Sequence, residues 1–325
     1  MSDSQEQPAT DETTPAAQEP SHTPTYQGPW FARLIGRGID SQNWLEGFSD
    51  GLQKFVGGTF RIGGPPLRWL KNLSHGTWFG HPLHPAVTDI PIGAWVGALI
   101  VDIVWLIERN SSPDVANTLA LAATILVIVG LVGAILSVLS GTIDWNDTYG
   151  KERRVGITHG IINTVATLVY VLALIFRLTD HPFRGFVLST VGLAILLLGA
   201  YLGGELVFGK GTQVNHTAWQ ELPEEFVEVA EEATIEEGKM QRVQANTTPV
   251  LLVRLAGTIY AMAATCTHAG GPLDEGSLEG DVVSCPWHGS RFCVRNGEAR
   301  GGPATFPQPK FEVRVQAGKV AVRRA

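Results

Sequence analysis

The chain has 325 residues and a formal net charge of −7, with 17% charged and 44% hydrophobic residues. It has no basic block long enough to make a nucleic-acid surface, and its three cysteines exclude a framework built wholly of disulfides. Mean hydropathy is +0.10 although the first 29 residues are almost entirely polar, so the apolar content is concentrated further along. This length admits two domains, or a membrane region plus one domain.

Residues 1–29 are rich in Ser, Thr, Pro, Gln and Glu, with Tyr26 as their single aromatic and His22 as a solvated histidine. Such a stretch cannot bury enough surface to offset its ordering entropy, so it reads as a disordered tail. It lacks the charged, apolar, small-residue order of a secretory signal. Residues 30–75 change character and read as an amphipathic juxtamembrane region. Trp44, Leu45, Phe48, Leu52, Phe55 and Val56 recur at helical spacing, with Asp40 or Ser41 as the cap, and Gly63-Gly64-Pro65-Pro66 ends the helix. That stripe suits packing on the rest of the protein and equally a place in the membrane interface.

Four apolar segments follow, at roughly 87–107, 116–140, 157–176 and 185–208. Each approaches or exceeds the ~20 residues that cross a bilayer as a helix, so residues 76–208 read as a four-helix transmembrane domain. Gly130, Gly133, Ala134, Gly192, Gly199, Gly203 and Gly204 supply the small surfaces that let helices approach closely in lipid. Residues 209–223 form a linker. From 224 to 325 the pattern is short strands and turns, with one hairpin turning at Ala256-Gly257 and another at Ala317-Gly318. The expected fold is an α-helical transmembrane domain followed by a small all-β domain.

Four crossings return the chain to its starting side. Near the helix ends that side carries Arg61, Arg68, Lys71, Lys151, Arg153, Arg154 and Lys210, against Arg109, Arg177 and Arg184 on the other. Short basic loops stay cytoplasmic, so both termini are expected inside. His75, His81, His84, His159 and His216 fall on that same face, and His181 on the opposite one.

The C-terminal domain holds Cys266-x-His268 and Cys285-x-x-His288. Two thiolates and two imidazoles suit either tetrahedral zinc or a two-iron, two-sulfide cluster. Zinc sites favour Cys-x-x-Cys knuckles, whereas one Cys and one His from each of two loops is the mixed donor set in which two His replace two Cys on one iron. Gly270, Gly271 and Gly289 suit loops that approach a cluster closely. Cys293 reads as a small strand residue.

The segments "CTHAGGPL", "CPWHGSRF", "NGEARGGPA" and "FEVRVQAGKVAVR" together resemble a Rieske-type iron–sulfur domain over residues 224–325. The resemblance implies that Cys266 and Cys285 bind one iron of a [2Fe-2S] cluster and that His268 and His288 bind the other. Ser290, Gly270, Gly289 and Trp287 would surround them. The respiratory-complex branch of that family has a further cysteine in each loop, joined as a disulfide, and a tyrosine aimed at a ligand cysteine. Here those positions are Gly271, Trp287 and Phe292. Loss of a hydrogen bond to sulfur lowers reduction potential, so a low-potential domain closer to Rieske ferredoxins is expected, with imidazole edges near solvent as the electron exit.

"FGHPLHPAVTDIPIGAW" and "GTIDWNDTYGKERRVGITHGIINT" resemble a bacterial four-helix membrane-domain family of unknown function, over residues 76–208. His81, His84, Asp89, Asp144, His159 and Glu205 are expected to converge at one interface, with Asp102 reaching the far one. They could cap helices, hold haem or another metal through His81 or His84 with His159, or line a quinone pocket. The proline at 85 argues against regular helix before it. The leading functional expectation is a membrane-anchored one-electron carrier in the lipid bilayer, working with a soluble cytoplasmic redox partner, either reductase or acceptor, and with no nucleic acid. The alternatives are a membrane oxidoreductase in which the cluster feeds a haem or quinone site, and a redox-sensing module.

Overall fold

A computed structural model describes residues 30–325; the polar tail 1–29 and His22 lie outside the described residues. Three helices precede the bundle: α1 (Trp30–Asp40), α2 (Trp44–Ile62) and α3 (Gly64–His75). The expected stripe forms in α2, but it divides. Leu45 is buried at 3% exposure, while Phe55 is 73% exposed and Trp44 and Phe48 also face outward. One edge packs on the bundle and the other presents aromatics outward, which suits a helix lying in the interface. Asn43 occupies the cap position without a side-chain bond, in place of the expected Asp40 or Ser41. Gly63 does end α2, yet α3 starts at once at Gly64 and takes the prolines into its first turn, because proline there removes only an N–H that has no helical partner.

The four apolar segments are α4 (Leu83–Glu108), α5 (Pro113–Trp145), α6 (Gly150–Leu178) and α7 (Pro182–Gly204), the last running on as a π-helical turn to Gly209. All four are long and apolar enough to cross a membrane, and only 22–39% of their most apolar windows is buried. Large side chains such as Ile100, Ile107, Leu121, Leu139 and Leu168 stand exposed. Contiguous apolar faces of this extent need lipid against them. Pro85 does not delay α4, which starts at Leu83, since the first turn tolerates proline.

Each of α4 and α6 packs on both α5 and α7, so α4 and α6 sit across the bundle from one another. At mid-height Trp95 and Tyr170 stack with ring centres 3.8 Å apart. Gly130 and Gly192 make room for them: a Cβ would fall 2.1 Å from Trp95 Nε1 and 2.8 Å from Tyr170 Cε2. Asp102 does not reach the far interface. It is buried and paired with Arg177, whose Nη1 donates to Oδ1 at 3.0 Å while Nη2 donates to Oδ2 and to Ser189 Oγ.

The C-terminal domain has two antiparallel sheets. β1 (Val227–Glu231), β2 (Met240–Ala245), β3 (Thr248–Leu255), β4 (Thr258–Ala263), β9 (Lys310–Gln316) and β10 (Lys319–Arg324) pair in the order β1-β10-β9-β4-β3-β2. β5 (Ser277–Glu279), β6 (Val282–Ser284), β7 (Arg291–Cys293) and β8 (Ala299–Gly301) form the second sheet in sequence order. Both expected hairpins are present. Ala256-Gly257 and Ala317-Gly318 take positive φ at both positions (50° and 76°, 51° and 76°), which matches strand twist. Leu251, Val253, Met262, Leu273, Val283 and Phe292 pack between the sheets, beneath the two cysteine loops.

Removing one partner of a buried ion pair leaves the other charge uncompensated, at a cost on the order of 3 kcal/mol. Asp102→Asn should therefore lower the melting temperature of the detergent-solubilised protein well beyond a surface control such as Glu298→Gln. Joint replacement of Asp102 and Arg177 by apolar residues should recover most of the loss in the same thermal scan.

Candidate functional site

Two loops at one end of the small sheet have the same internal wiring. In the first, the Cys266 N–H donates to Gly271 O (2.8 Å) and the Gly270 N–H returns to Cys266 O (2.9 Å). In the second, the Cys285 N–H donates to Ser290 O (2.8 Å) and the Gly289 N–H returns to Cys285 O (3.1 Å). Gly270 and Gly289 sit at φ 76° and 70°, a left-handed turn that glycine adopts without strain. Each turn aims amides at its own sulfur: those of His268 and Ala269 at Cys266, those of Trp287 and His288 at Cys285. N–H groups on sulfur favour the thiolate, the form that binds metal.

The four expected donors gather as two pairs. The thiols of Cys266 and Cys285 lie within hydrogen-bonding reach of each other, a contact that pushes Cys266 up and holds Cys285 down at about 7. The His268 and His288 rings meet edge to face with centres 4.9 Å apart. Burial and the neighbouring His288 push His268 down to about 3, and burial lowers His288, so both rings are neutral donors. His268 Nδ1 is buried with no hydrogen-bond partner. A buried ring nitrogen with a free lone pair fits a metal position. No three His, Cys, Asp or Glu among the described residues gather at single-ion spacing. A sulfur pair beside a nitrogen pair suits a two-iron unit with one pair per iron.

The surroundings account for two features of the sequence. A Cβ at Gly271 would fall 2.9 Å from Cys285 Sγ and 3.0 Å from the Trp287 ring, so no cysteine fits there. Ser290 is fully buried and its Oγ accepts from the Ala304 N–H at 3.2 Å, which leaves its own proton to donate. Trp287 packs on the domain core and Phe292 lies fully within it. Cys293 is buried on β7, 3.9 Å from Asp281 Oδ2.

The imidazole edge does not open freely to solvent as the sequence suggests. It faces the membrane domain, where the Tyr149 ring lies 5.2 Å from that of His288. Gly302 N–H donates to Asn72 Oδ1 (3.2 Å), His216 N–H donates to Thr267 O (3.0 Å), and His81 meets Phe306 edge to face at 5.7 Å. Tyr149 ends a turn between α5 and α6 that is held from several sides. Gln53 Nε2 lies 3.0–3.3 Å from the carbonyls of Trp145, Asn146 and Thr148. Lys71 Nζ reaches Asp147 Oδ1 at 2.8 Å. His75, 1% exposed, bonds Asp144 Oδ1 through Nδ1 at 2.8 Å and faces Asp147 Oδ2 with Nε2 at 3.2 Å, a contact that falls short of a hydrogen bond. Burial opposes charge on His75, but the bond to Asp144 and the carboxylate of Asp147 beside it outweigh burial and raise its pKa above 6.5. Burial alone would raise Asp147, yet His75 and Lys71 hold it below 3.8.

The expected convergence in the membrane half is partial. His84 and His159 meet with ring centres 6.2 Å apart. Asp144 turns to His75 and Glu205 pairs with Lys210 at 3.2 Å, while Asp89 is exposed and His81 faces Phe306. Sequence reasoning missed Tyr149, Asn72 and the His75 bridge. An aromatic and a basic residue near a polar inter-helix turn were the only signals for them.

Comparison with known proteins matches residues 225–312 to the Rieske [2Fe-2S] domain and residues 80–216 to the predicted membrane protein family DUF2231. The ferredoxin component of biphenyl 2,3-dioxygenase from Rhodococcus jostii is 40% identical over 85 residues, 26% of this chain and 79% of that protein. Ferredoxin CarAc from Metapseudomonas resinovorans is 37% identical over 98 residues, 30% of this chain and 92% of its own. A solved ferredoxin of carbazole 1,9a-dioxygenase from Nocardioides aromaticivorans is 27% identical, with a TM-score of 0.30, covering 31% of this chain and 98% of that one. The chain therefore belongs to the Rieske [2Fe-2S] family, its iron–sulfur domain fused behind a DUF2231 membrane domain.

The raised pKa of His75 contributes stability that is complete below pH 6.5 and fades as pH rises through the folded-state value; the depressed pKa of Asp147 contributes stability that is complete above pH 3.8 and fades as pH falls through its own. The stability gap between wild type and His75→Gln should thus be widest in mildly acidic buffer and narrow as pH rises through the folded-state value, read as the difference between their thermal melts.

Proposed function

We propose that the chain is a membrane-anchored one-electron carrier in which Cys266 and Cys285 hold one iron of the cluster and His268 and His288 the other. The observation that carries this reading is the buried His268 Nδ1, left without a partner beside the paired thiols. When bound, the [2Fe-2S] unit supplies a one-electron site. The protein's residues do the rest. Backbone amides of 268, 269, 287 and 288 steady the sulfurs, Ser290 keeps a hydroxyl proton to donate, and Trp287 and Phe292 exclude water. Phe292 offers no hydroxyl, which supports a ferredoxin-like low potential.

The dioxygenase ferredoxins that this domain resembles suggest a soluble reductase or acceptor as its partner. Pro286 and Gly289, both exposed at the cluster loop, are the rim such a partner would reach. The Tyr149 contact favours a second role, exchange with the membrane domain itself, in which the cluster feeds a site between the helices. The basic residues near the helix ends support cytoplasmic termini.

Electron paramagnetic resonance of the dithionite-reduced protein should give a Rieske signal of low average g value. His288→Ala should abolish it, while zinc in place of iron and acid-labile sulfide would overturn the assignment. Protease added to intact cells should leave the C-terminal domain uncut, and cleavage there before lysis would reverse the sidedness.

A further inference from the structure

The three helices ahead of the bundle wrap the end of it that meets the iron–sulfur domain: α1 and α2 pack on α6, and α3 packs on α4 and α5. Their inward sides are accounted for. Ile39 and Leu45 join the apolar cluster around Trp145. Gln53 holds the α5–α6 turn, and Lys71, Asn72 and His75 serve the junction between the two halves. Their outward sides carry residues that nothing in the chain covers. On α2, Trp44, Phe48, Phe55 and Ile62 are all exposed, and at about 100° per residue they fall within about 40° of one another. α1 adds Trp30 and Leu34 to this surface, and α3 adds Trp69 and Leu70.

Two observations say what covers it. The first is continuity with the lipid-facing bundle. Phe31 of α1 meets Tyr201 of α7 with ring centres 5.4 Å apart, and Phe208, just beyond that helix, is exposed. The second is the sorting of charge. Residues 30–75 hold three carboxylates. Glu46 and Asp50 are engaged by Arg153 at 2.7 and 2.6 Å, which leaves Asp40. Arg33, Arg37, Lys54 and Arg68 are exposed, and none of them forms an ion pair among the described residues. On α1, Arg33 and Arg37 stand three residues after Trp30 and Leu34, which puts both cations on one flank of the apolar strip. Rings with long free cations at their edge suit the boundary between acyl chains and headgroups. Phosphate is an anion that a guanidinium fork fits.

We propose that α1, α2 and α3 form a platform for anionic phospholipid in the leaflet on the iron–sulfur side. Trp44, Phe48, Phe55 and Trp69 reach the acyl boundary, while Arg33, Arg37, Lys54 and Arg68 take the headgroup phosphates. The platform has two working sides. Its outer side rests in lipid. Its inner side carries Gln53, which holds the turn bearing Tyr149, and Asn72, which accepts from Gly302 of the iron–sulfur domain. The lipid contact therefore sets how high above the acyl chains the cysteine loops are seated.

The test uses the full chain. In bilayers, Phe55→Cys carries a bimane label, the three native cysteines being buried. Lipid brominated near the headgroup should quench the label and aqueous iodide should not, while a label on the exposed Glu298→Cys should show the reverse. In mixed micelles, phosphatidylglycerol should raise the melting temperature more than phosphatidylcholine does. Its apparent affinity should fall roughly fivefold for each cation removed along the series Arg33→Gln, Arg37→Gln, Lys54→Gln and Arg68→Gln. Arg33→Lys, Arg37→Lys and Arg68→Lys together keep the charge and should keep the preference, which separates lost charge from lost folding. The proposal is overturned by iodide quenching at 55 as free as at 298, or by shielding at 55 that disappears on dilution into excess lipid, which would place a second copy on this face. It is overturned equally by no preference for phosphatidylglycerol, or by one that survives removal of all four cations. Neither measurement needs a loaded cluster, so failure of the electron-carrier reading would leave both readouts intact.

Discussion

The junction between the two halves depends on a buried histidine held between two carboxylates. His75 has a carboxylate on each ring nitrogen, Asp144 on one side and Asp147 on the other, and Lys71 completes the set. A buried ring is costly unless its nitrogens find partners; Asp144 supplies a hydrogen bond to one, and Asp147 stands 3.2 Å from the other. The pairing fixes the α5–α6 turn, and Gln53 holds the turn's carbonyls from α2. Tyr149 at the end of that turn then meets His288. One electrostatic bridge thus determines where the iron–sulfur loops find their seat.

On the other side of the seat, two loops of unrelated sequence adopt one turn. Each closes a cysteine N–H onto a carbonyl five residues later and uses a left-handed glycine four residues on. The glycine is required because the chain must reverse while still pointing amides at sulfur. The small sheet anchors both turns: β6 leads into Cys285 and β7 leaves Ser290, with Val283 paired to Phe292 behind the site. The donors are therefore preorganised as pairs, and this suits a cofactor that changes charge with little change of shape.

In the bundle, chemistry and packing are divided by height. The middle is an aromatic stack fitted against glycines, and the far end carries the Asp102–Arg177 pair. The near end holds a polar layer where two imidazoles from facing helices approach each other. Lipid contributes nothing to helix association by hydrophobicity, so close approach at small residues does the work. The same small residues that permit packing also determine which rings can enter the interior.

Much was legible in the sequence because it is local. The Cys-x-His and Cys-x-x-His spacings name the donors, twenty apolar residues name a crossing, and an Ala-Gly turn between alternating strands names a hairpin. Other features could not be read that way. The Gly-Gly-Pro-Pro stretch at 63–66 looked like the end of the juxtamembrane segment and instead opens α3 at Gly64; Gly150 gave no sign that α6 begins seven residues before its apolar run. Of three candidate histidines, only packing decided that His84 meets His159 while His81 faces Phe306. Asp102 found Arg177, 75 residues away, and Tyr149 found His288 in another domain. Donor type and period follow from the covalent order of the chain; which face meets which is settled only when helices and sheets pack, because that choice depends on the volumes and charges of residues far apart in sequence.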